Sequence, residues 1–204
     1  MSAAPWVPAG AGLDALRVAA ADCQGCELHG PATQTVFSAG SALARVVLVG
    51  EQPGDMEDRR GVPFVGPAGQ LLDQALADAG IDRAHAYVTN AVKHFRFRET
   101  GRRRLHQTPD LAHMTACRPW LDAELALVDP DVLVALGATA ARALFGPDFR
   151  VTRQRGRLFP RPPGTGWTMA TNHPSAVLRA DDRAAAFAAL VADLRVASAA
   201  VVPD

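Results

Sequence analysis

Four short apolar runs punctuate the chain, each separated from the next by enough sequence for a helix. They are "RVVLVG" (Arg45–Gly50), "AYVTNAV" (Ala86–Val92), "DVLVALG" (Asp131–Gly137) and "WTMATNH" (Trp167–His173). Continuous apolar runs of this length, ending in Gly or Asn, predict strands buried on both faces of a parallel sheet. Helical stretches alternate with them: Leu13 to Ala21, Gly69 to Ala79 stopped by Gly80, a long helix opened by Thr108-Pro109 and running to about Val128, "ATAARALFG" after the third strand, and Arg183 to about Ala200. Thr108 and Pro109 suit the N-cap and first helical position, and Gly80 suits a helix end. Alternating strands and helices predict an α/β fold: a single-domain three-layer α/β/α sandwich around a four-stranded, mostly parallel sheet with right-handed crossovers.

The length of 204 residues supports one well-packed domain. Residues 1–12, rich in Pro, Ala and Gly, are expected as a flexible N-terminal arm, and residues 13–204 as the domain. Pro162-Pro163-Gly164 is expected as a turn ahead of the fourth strand. No apolar run approaches the length of a membrane span and the N-terminus has no signal-peptide pattern, so the expected location is cytoplasmic, at the nucleoid.

Charge changes the picture through its distribution. The formal net charge is zero, yet six basic residues against one acid lie between Lys93 and Arg104, in the stretch "RFRETGRRRLHQTP" and just before it. Arg150, Arg153, Arg155, Arg157 and Arg161 form a second group. Such clusters can follow a nucleic-acid backbone, although a solvated surface explains the second group almost as well. Lys93 is the only lysine; a high-GC genome accounts for that bias as readily as phosphate binding does.

Ligands of open α/β sheets bind outside the carboxyl ends of the strands. Three predicted strand ends carry polar groups there: Glu51, Gln52 and Asp55 after the first, Asn90 and the basic loop after the second, and Asn172, His173 and Ser175 after the fourth. Each residue alone has an ordinary structural explanation; their convergence on one sheet edge points to a site. Cys23-Gln-Gly-Cys26 and Cys117 make an odd set of three cysteines. A thioredoxin-like pair would need a preceding strand, so a metal or cluster site with a fourth ligand is the better expectation.

The segments "GEQPGDMEDRRGVPFVGPAG", "YVTNAVKH" and "NHPSAVLR", in this order, resemble the motifs of the uracil-DNA glycosylase superfamily. The likeness runs from about Cys23 to Arg179 and is greatest to its iron–sulfur branch. Within that branch, "GEQPGD" with the extended "RRRLH" loop resembles the UdgX type, which cross-links itself to uracil-containing DNA. The resemblance implies an enzyme that flips uracil out of DNA, single-stranded DNA included, cleaves its glycosidic bond and releases free uracil, acting as a monomer. Asn90 would pair with the N3/O4 edge of the base and Phe64 would stack on it, with Gln52 at the same pocket. His173 would stabilise the leaving base, as oxyanion-hole donors do. Glu51 and Asp55 would face the developing sugar cation, orient water or fix a histidine tautomer. His106 would attack C1′ and remain bonded to it. Arg102, Arg103, Arg104 and Ser175 would hold the DNA.

The iron–sulfur branch uses four cysteines, and where one of them follows the Asn segment this chain has His94. The resemblance therefore implies a [4Fe–4S] cluster on Cys23, Cys26, His94 and Cys117, with His113 or His29 as other possible fourth ligands and zinc as the competing metal. Two rival readings remain: a multiple-turnover glycosylase in which Asp55 directs water, and a damage-sensing DNA-binding module that cleaves nothing. An unrelated metallohydrolase would need an HxH or HExxH pattern, which the sequence lacks.

Overall fold

In the computed structural model, which describes residues 1–162 and 166–202, all four expected strands form the parallel centre of a sheet. They are β2 (Val46–Gly50), β3 (Ala86–Asn90), β6 (Val132–Leu136) and β8 (Trp167–Thr171). Two-residue strands β1 (Ser38–Ala39) and β7 (Phe159–Pro160) pair antiparallel at the two edges. The sheet is thus six-stranded, in the order β1-β3-β2-β6-β8-β7, where four strands were expected. Two-residue edges leave no apolar pattern to read, so the sequence could not show them. Of the expected Pro162-Pro163-Gly164 turn, Pro163 and Gly164 lie outside the described residues.

Side-chain alternation explains the three layers. Along β2, Val46 and Leu48 join one core with Leu72 and Leu76 of α3 (Pro67–Asp78) and Leu190 and Leu194 of α8 (Arg183–Ala199). Val47 and Val49 face the other way, onto Leu121 of α4 (Leu111–Val128) and Ala140 and Ala141 of α5 (Gly137–Phe145). Both faces are covered, which is why these strands need no polar alternation. A third apolar cluster joins Leu16 and Ala20 of α1 (Leu13–Ala20) to Trp120, Phe37 and the three cysteines. The N-terminal residues meet this cluster: Ala3 is buried, and its N–H donates to the Ala116 carbonyl at 2.7 Å. No helix among the described residues is long and apolar enough to cross a membrane.

Two sequence expectations shift. The long helix α4 opens on Asp110 rather than on Thr108-Pro109. The Asp110 carboxylate accepts from the His113 N–H at 3.2 Å while His113 Nδ1 accepts from the Asp110 N–H at 3.1 Å, a reciprocal cap that Thr108 cannot match. The basic loop is a β-hairpin, β4 (Phe97–Thr100) against β5 (Arg103–His106), turning at Gly101. Shorter helices α2 (Asp55–Arg60), α6 (Val151–Gln154) and α7 (Pro174–Leu178) complete the fold.

Lys93 is not part of the basic surface. It is 1% exposed, and its ammonium is ion-paired with Glu124, which is wholly buried. The same ammonium donates to Thr89 Oγ1 at 2.6 Å and to the Asn90 carbonyl at 3.0 Å, while the Tyr87 hydroxyl donates to Glu124 at 2.8 Å. A buried charge pair of this kind is tolerable only because its donors and acceptors are met. Glu124→Ala leaves an unpaired ammonium in the core and is expected to cost about 3–5 kcal/mol in urea unfolding; the double variant Lys93→Met/Glu124→Leu should recover much of that loss.

Candidate active site

β2 lies at the centre of the sheet, with β3 on one side and β6 on the other, so the chain leaves this point in opposite directions. A cleft of about 950 Å³ opens there, walled by residues that follow β2, β3, β6 and β8 and by the hairpin. Glu51, Gln52, Phe64, Asn90, His106, His173 and Ser175 all line it. These residues lie far apart in sequence and come together only through the sheet.

Asn90 ends β3 and is 2% exposed, at the cleft floor. Its neighbour across the sheet is Gly50. A side chain at Gly50 would strike both the Asn90 amide oxygen and the Phe64 ring, so only glycine permits this approach. Phe64 has a left-handed backbone, φ 57°, a conformation that costs a non-glycine residue about 1–2 kcal/mol. The loop over-determines it. Glu57 accepts the Gly66 N–H at 2.8 Å, and Gly69 packs so tightly on the Phe64 carbonyl that no Cβ would fit. The strain turns the ring into the cleft, where it stacks on His173 at 6.2 Å between centroids with 28° between planes.

His173 precedes α7. Its Nδ1 accepts the Ser175 N–H at 3.1 Å, with Ser175 Oγ 2.8 Å away. Burial pushes the ring's pKa down to about 4, only partly offset by the Glu51 charge, so the imidazole is neutral. With Nδ1 accepting, the proton sits on Nε2, and His173 is a fixed N–H donor. Ser175, expected as a DNA contact, thus serves to set that tautomer.

At the other lip stands the hairpin. The Gln52 side chain binds the bases of both legs: its Nε2 donates to the Arg96 and Gln107 carbonyls at 3.1 and 3.0 Å, and its Oε1 accepts the Arg96 N–H at 3.0 Å. Gln52, expected at the base, lines the cleft, and its side-chain amide holds the hairpin. His106, the last residue of β5, is half exposed and directs Nε2 to Glu51 Oε1 at 3.1 Å. The other Glu51 oxygen accepts the Thr139 hydroxyl from α5. Burial disfavours the Glu51 carboxylate, but hydrogen bonds from His106 and Thr139 outweigh it and hold its pKa below the ordinary value.

The structure does not bring every expected residue to the cleft. Asp55 is outside its walls; it accepts from Arg104 at 2.5 Å and from Arg59 at 3.0 Å. Burial opposes its ionisation, and these two guanidinium groups prevail and lower its pKa. Arg104 also reaches Asp58 at 2.6 Å and lies over the Phe97 and Phe95 rings at 4.9 and 5.5 Å. It braces the hairpin from beneath. Arg102 and Arg103, with Arg98, are the arginines that the hairpin leaves exposed. In the second basic group, Arg155 pairs with Asp193 and Arg161 with Asp129.

The thiols of Cys23, Cys26 and Cys117 share one apolar pocket. N–H groups of Trp120 and Gly25 lie 3.2 and 3.5 Å from the Cys23 sulfur, and that of Lys93 lies 3.3 Å from Cys117. Burial raises the Cys117 thiol to about 12 and also raises Cys26. His94 is buried nearby, neutral because burial lowers its pKa to about 4, with Nε2 2.9 Å from Thr35 Oγ1. Among the described residues, no three His, Cys, Asp or Glu side chains stand close enough to hold a metal ion as placed. Three sulfurs with N–H donors aimed at two of them nonetheless suit thiolate ligation.

Thr139, the hairpin register and the Glu57 brace were missed by sequence reasoning. Thr139 had a usable signal: it is polar, two residues past the third strand's end, where the other strand ends carry the site.

Residues 37–195 match the Uracil DNA glycosylase superfamily, and the chain belongs to it. It is 39% identical over 158 residues to the Type-4 uracil-DNA glycosylase of Thermotoga maritima, covering 77% of this chain and 78% of that one. It is 34% identical over 165 residues to that of Archaeoglobus fulgidus, covering 76% and 78%, and 32% identical over 152 residues to that of Sulfurisphaera tokodaii, covering 72% and 66%.

The buried neutral His173 carries a pH signature. Its pKa is near 4 in the folded chain against 6.5 when solvated, so the unfolded chain takes up the extra proton as pH falls. Stability should be full above pH 6.5 and decline from there towards pH 4. Urea unfolding at intervals across this window should show the decline, and His173→Asn should reduce it.

Proposed function

We propose that this chain excises uracil from DNA and stays joined to the sugar through His106. The observation that carries the reading is the His106–Glu51 contact at 3.1 Å across the mouth of a cleft that holds Asn90, Phe64 and His173. Its relatives named as uracil-DNA glycosylases support the substrate. A flipped uracil would lie on Phe64, with its N3/O4 edge on the Asn90 amide and O2 towards the His173 N–H.

The ring nitrogen of His106 not engaged by Glu51 carries the lone pair. As it bonds to C1′, the C1′–N1 bond breaks and its electrons pass to the uracil N1/O2 system, where the His173 N–H stabilises them. The imidazolium that forms is stabilised by the ionised Glu51 carboxylate and loses its other ring proton to water, leaving a neutral N-alkyl imidazole; the uracil anion takes up a proton from water, so the two transfers balance. An alkylated imidazole is a poor leaving group, so one turnover ends as an adduct. Asp55, held by Arg59 and Arg104 away from the cleft, is badly placed to direct water instead. The exposed Arg98, Arg102 and Arg103 would meet phosphates, and DNA affinity would fall with salt.

Cys23, Cys26 and Cys117 would hold a [4Fe–4S] cluster, with His94 as fourth ligand through Nδ1, since Nε2 faces Thr35. The cluster would supply a cross-link between the N-terminal segment and α4, and no step of base release passes through it.

A denaturing gel of the protein mixed with uracil-containing single-stranded DNA tests the covalent step. A slow-migrating adduct is expected, absent with thymine-containing DNA and lost in His106→Ala. His106→Gly should admit water and give repeated uracil release. Free uracil in many-fold excess over wild-type protein, with no adduct, would overturn the reading in favour of ordinary turnover; no uracil release at all would leave a binding module. A visible band near 400 nm with about four irons per chain is expected for the cluster, and zinc in its place would refute it.

A further inference from the structure

The cleft is spanned by a tie of three side chains. His106 stands on the hairpin at one lip, Glu51 follows the central strand at the floor, and Thr139 stands in the first turn of α5 on the opposite wall. Each Glu51 oxygen has one partner: Oε1 meets His106 Nε2 at 3.1 Å and Oε2 accepts the Thr139 hydroxyl. We infer that Thr139 is a positioning residue for the reaction, holding Glu51 so that its carboxylate faces His106 in the protonation state and orientation that His106 needs. The inference deepens the covalent reading above and rests on it.

Three physical reasons support the assignment. A glutamate at the end of a strand has three side-chain torsions to fix before it can aim one oxygen, and a bond on the far oxygen restricts them. The His106 side chain is half exposed, whereas α5 packs on the sheet through Ala140 and Ala141, so Thr139 offers Glu51 the more buried of its two partners. Lastly, Thr139 sits among the free N–H groups at the start of a nine-residue helix, whose positive end favours a carboxylate. Of the titratable groups acting on Glu51, His106 favours its ionised form through their contact, His173 does so only when it carries a proton, near pH 4 and below, and Thr139 adds a hydrogen bond that is stronger to the carboxylate than to the acid.

The consequence is directional. Without the hydroxyl, burial acts on Glu51 with less opposition, its pKa rises, and the acidic limb of the rate profile moves to higher pH. Single-turnover adduct formation should be measured from pH 5 to 9 for wild type, Thr139→Val and Thr139→Ser, with released uracil quantified in the same samples and thermal melting recorded for each. Thr139→Val should react about tenfold more slowly at pH 7, with a steeper loss towards pH 5 than wild type shows, while Thr139→Ser should keep the wild-type rate and profile. Wild-type rate and profile in Thr139→Val, or an equal slowing at every pH, would overturn the positioning role while leaving the covalent reading intact. Uracil release by wild type without any adduct would overturn both.

Discussion

The ammonium of Lys93 sits at a junction on which the rest of the site depends. A charge with 1% exposure needs an opposite charge and several acceptors, and Glu124, Thr89 and the Asn90 carbonyl supply them. Thr89 and Asn90 are the end of β3 and Glu124 belongs to α4, and so the charge fixes the residue that would read the base. The backbone of the same lysine faces two other ways: its N–H reaches the Cys117 sulfur and its carbonyl accepts from Val36. Base pocket, cysteine pocket and sheet edge are thus joined through one residue.

The hairpin is built on a second such economy. Its strands pair only with each other, so it has no sheet to align it. Alignment comes instead from Gln52 at its base and from Arg104 at its middle, the latter bound to two carboxylates on or beside α2 and stacked on two phenylalanines. In this respect, Arg104 is part of the scaffold. Its neighbours Arg102 and Arg103 remain the solvent-facing charges.

What could be read from the sequence follows from the range of each interaction. The parallel strands were legible because burial on both faces imposes an apolar run that is local in sequence. The hairpin was not: "FRET" and "RRLH" carry no apolar alternation, and their pairing is set by Gln52, more than forty residues earlier. Sequence shows the sign of a charge but not its partner, so Lys93 and Arg104 were counted with the exposed basic residues although Glu124, Asp55 and Asp58 neutralise them. The candidate site was legible at the strand ends of β2, β3 and β8, where motif and topology agreed. The partners of Asp55 were not legible either: it opens helix α2, where Arg59 and Arg104 hold its carboxylate.

Under the proposed covalent reading, the double anchorage of the hairpin would set how often His106 meets a bound sugar. A histidine on a loose loop samples a wide volume, and its local concentration at any one atom is low. Here both legs are bound by one amide, and the ring meets Glu51 at 3.1 Å. Confinement of this kind raises effective molarity, which in well-oriented systems reaches roughly 10⁵–10⁸ M. On the proposed covalent reading, the fold would supply reactivity to the His106 imidazole by restricting where it can go.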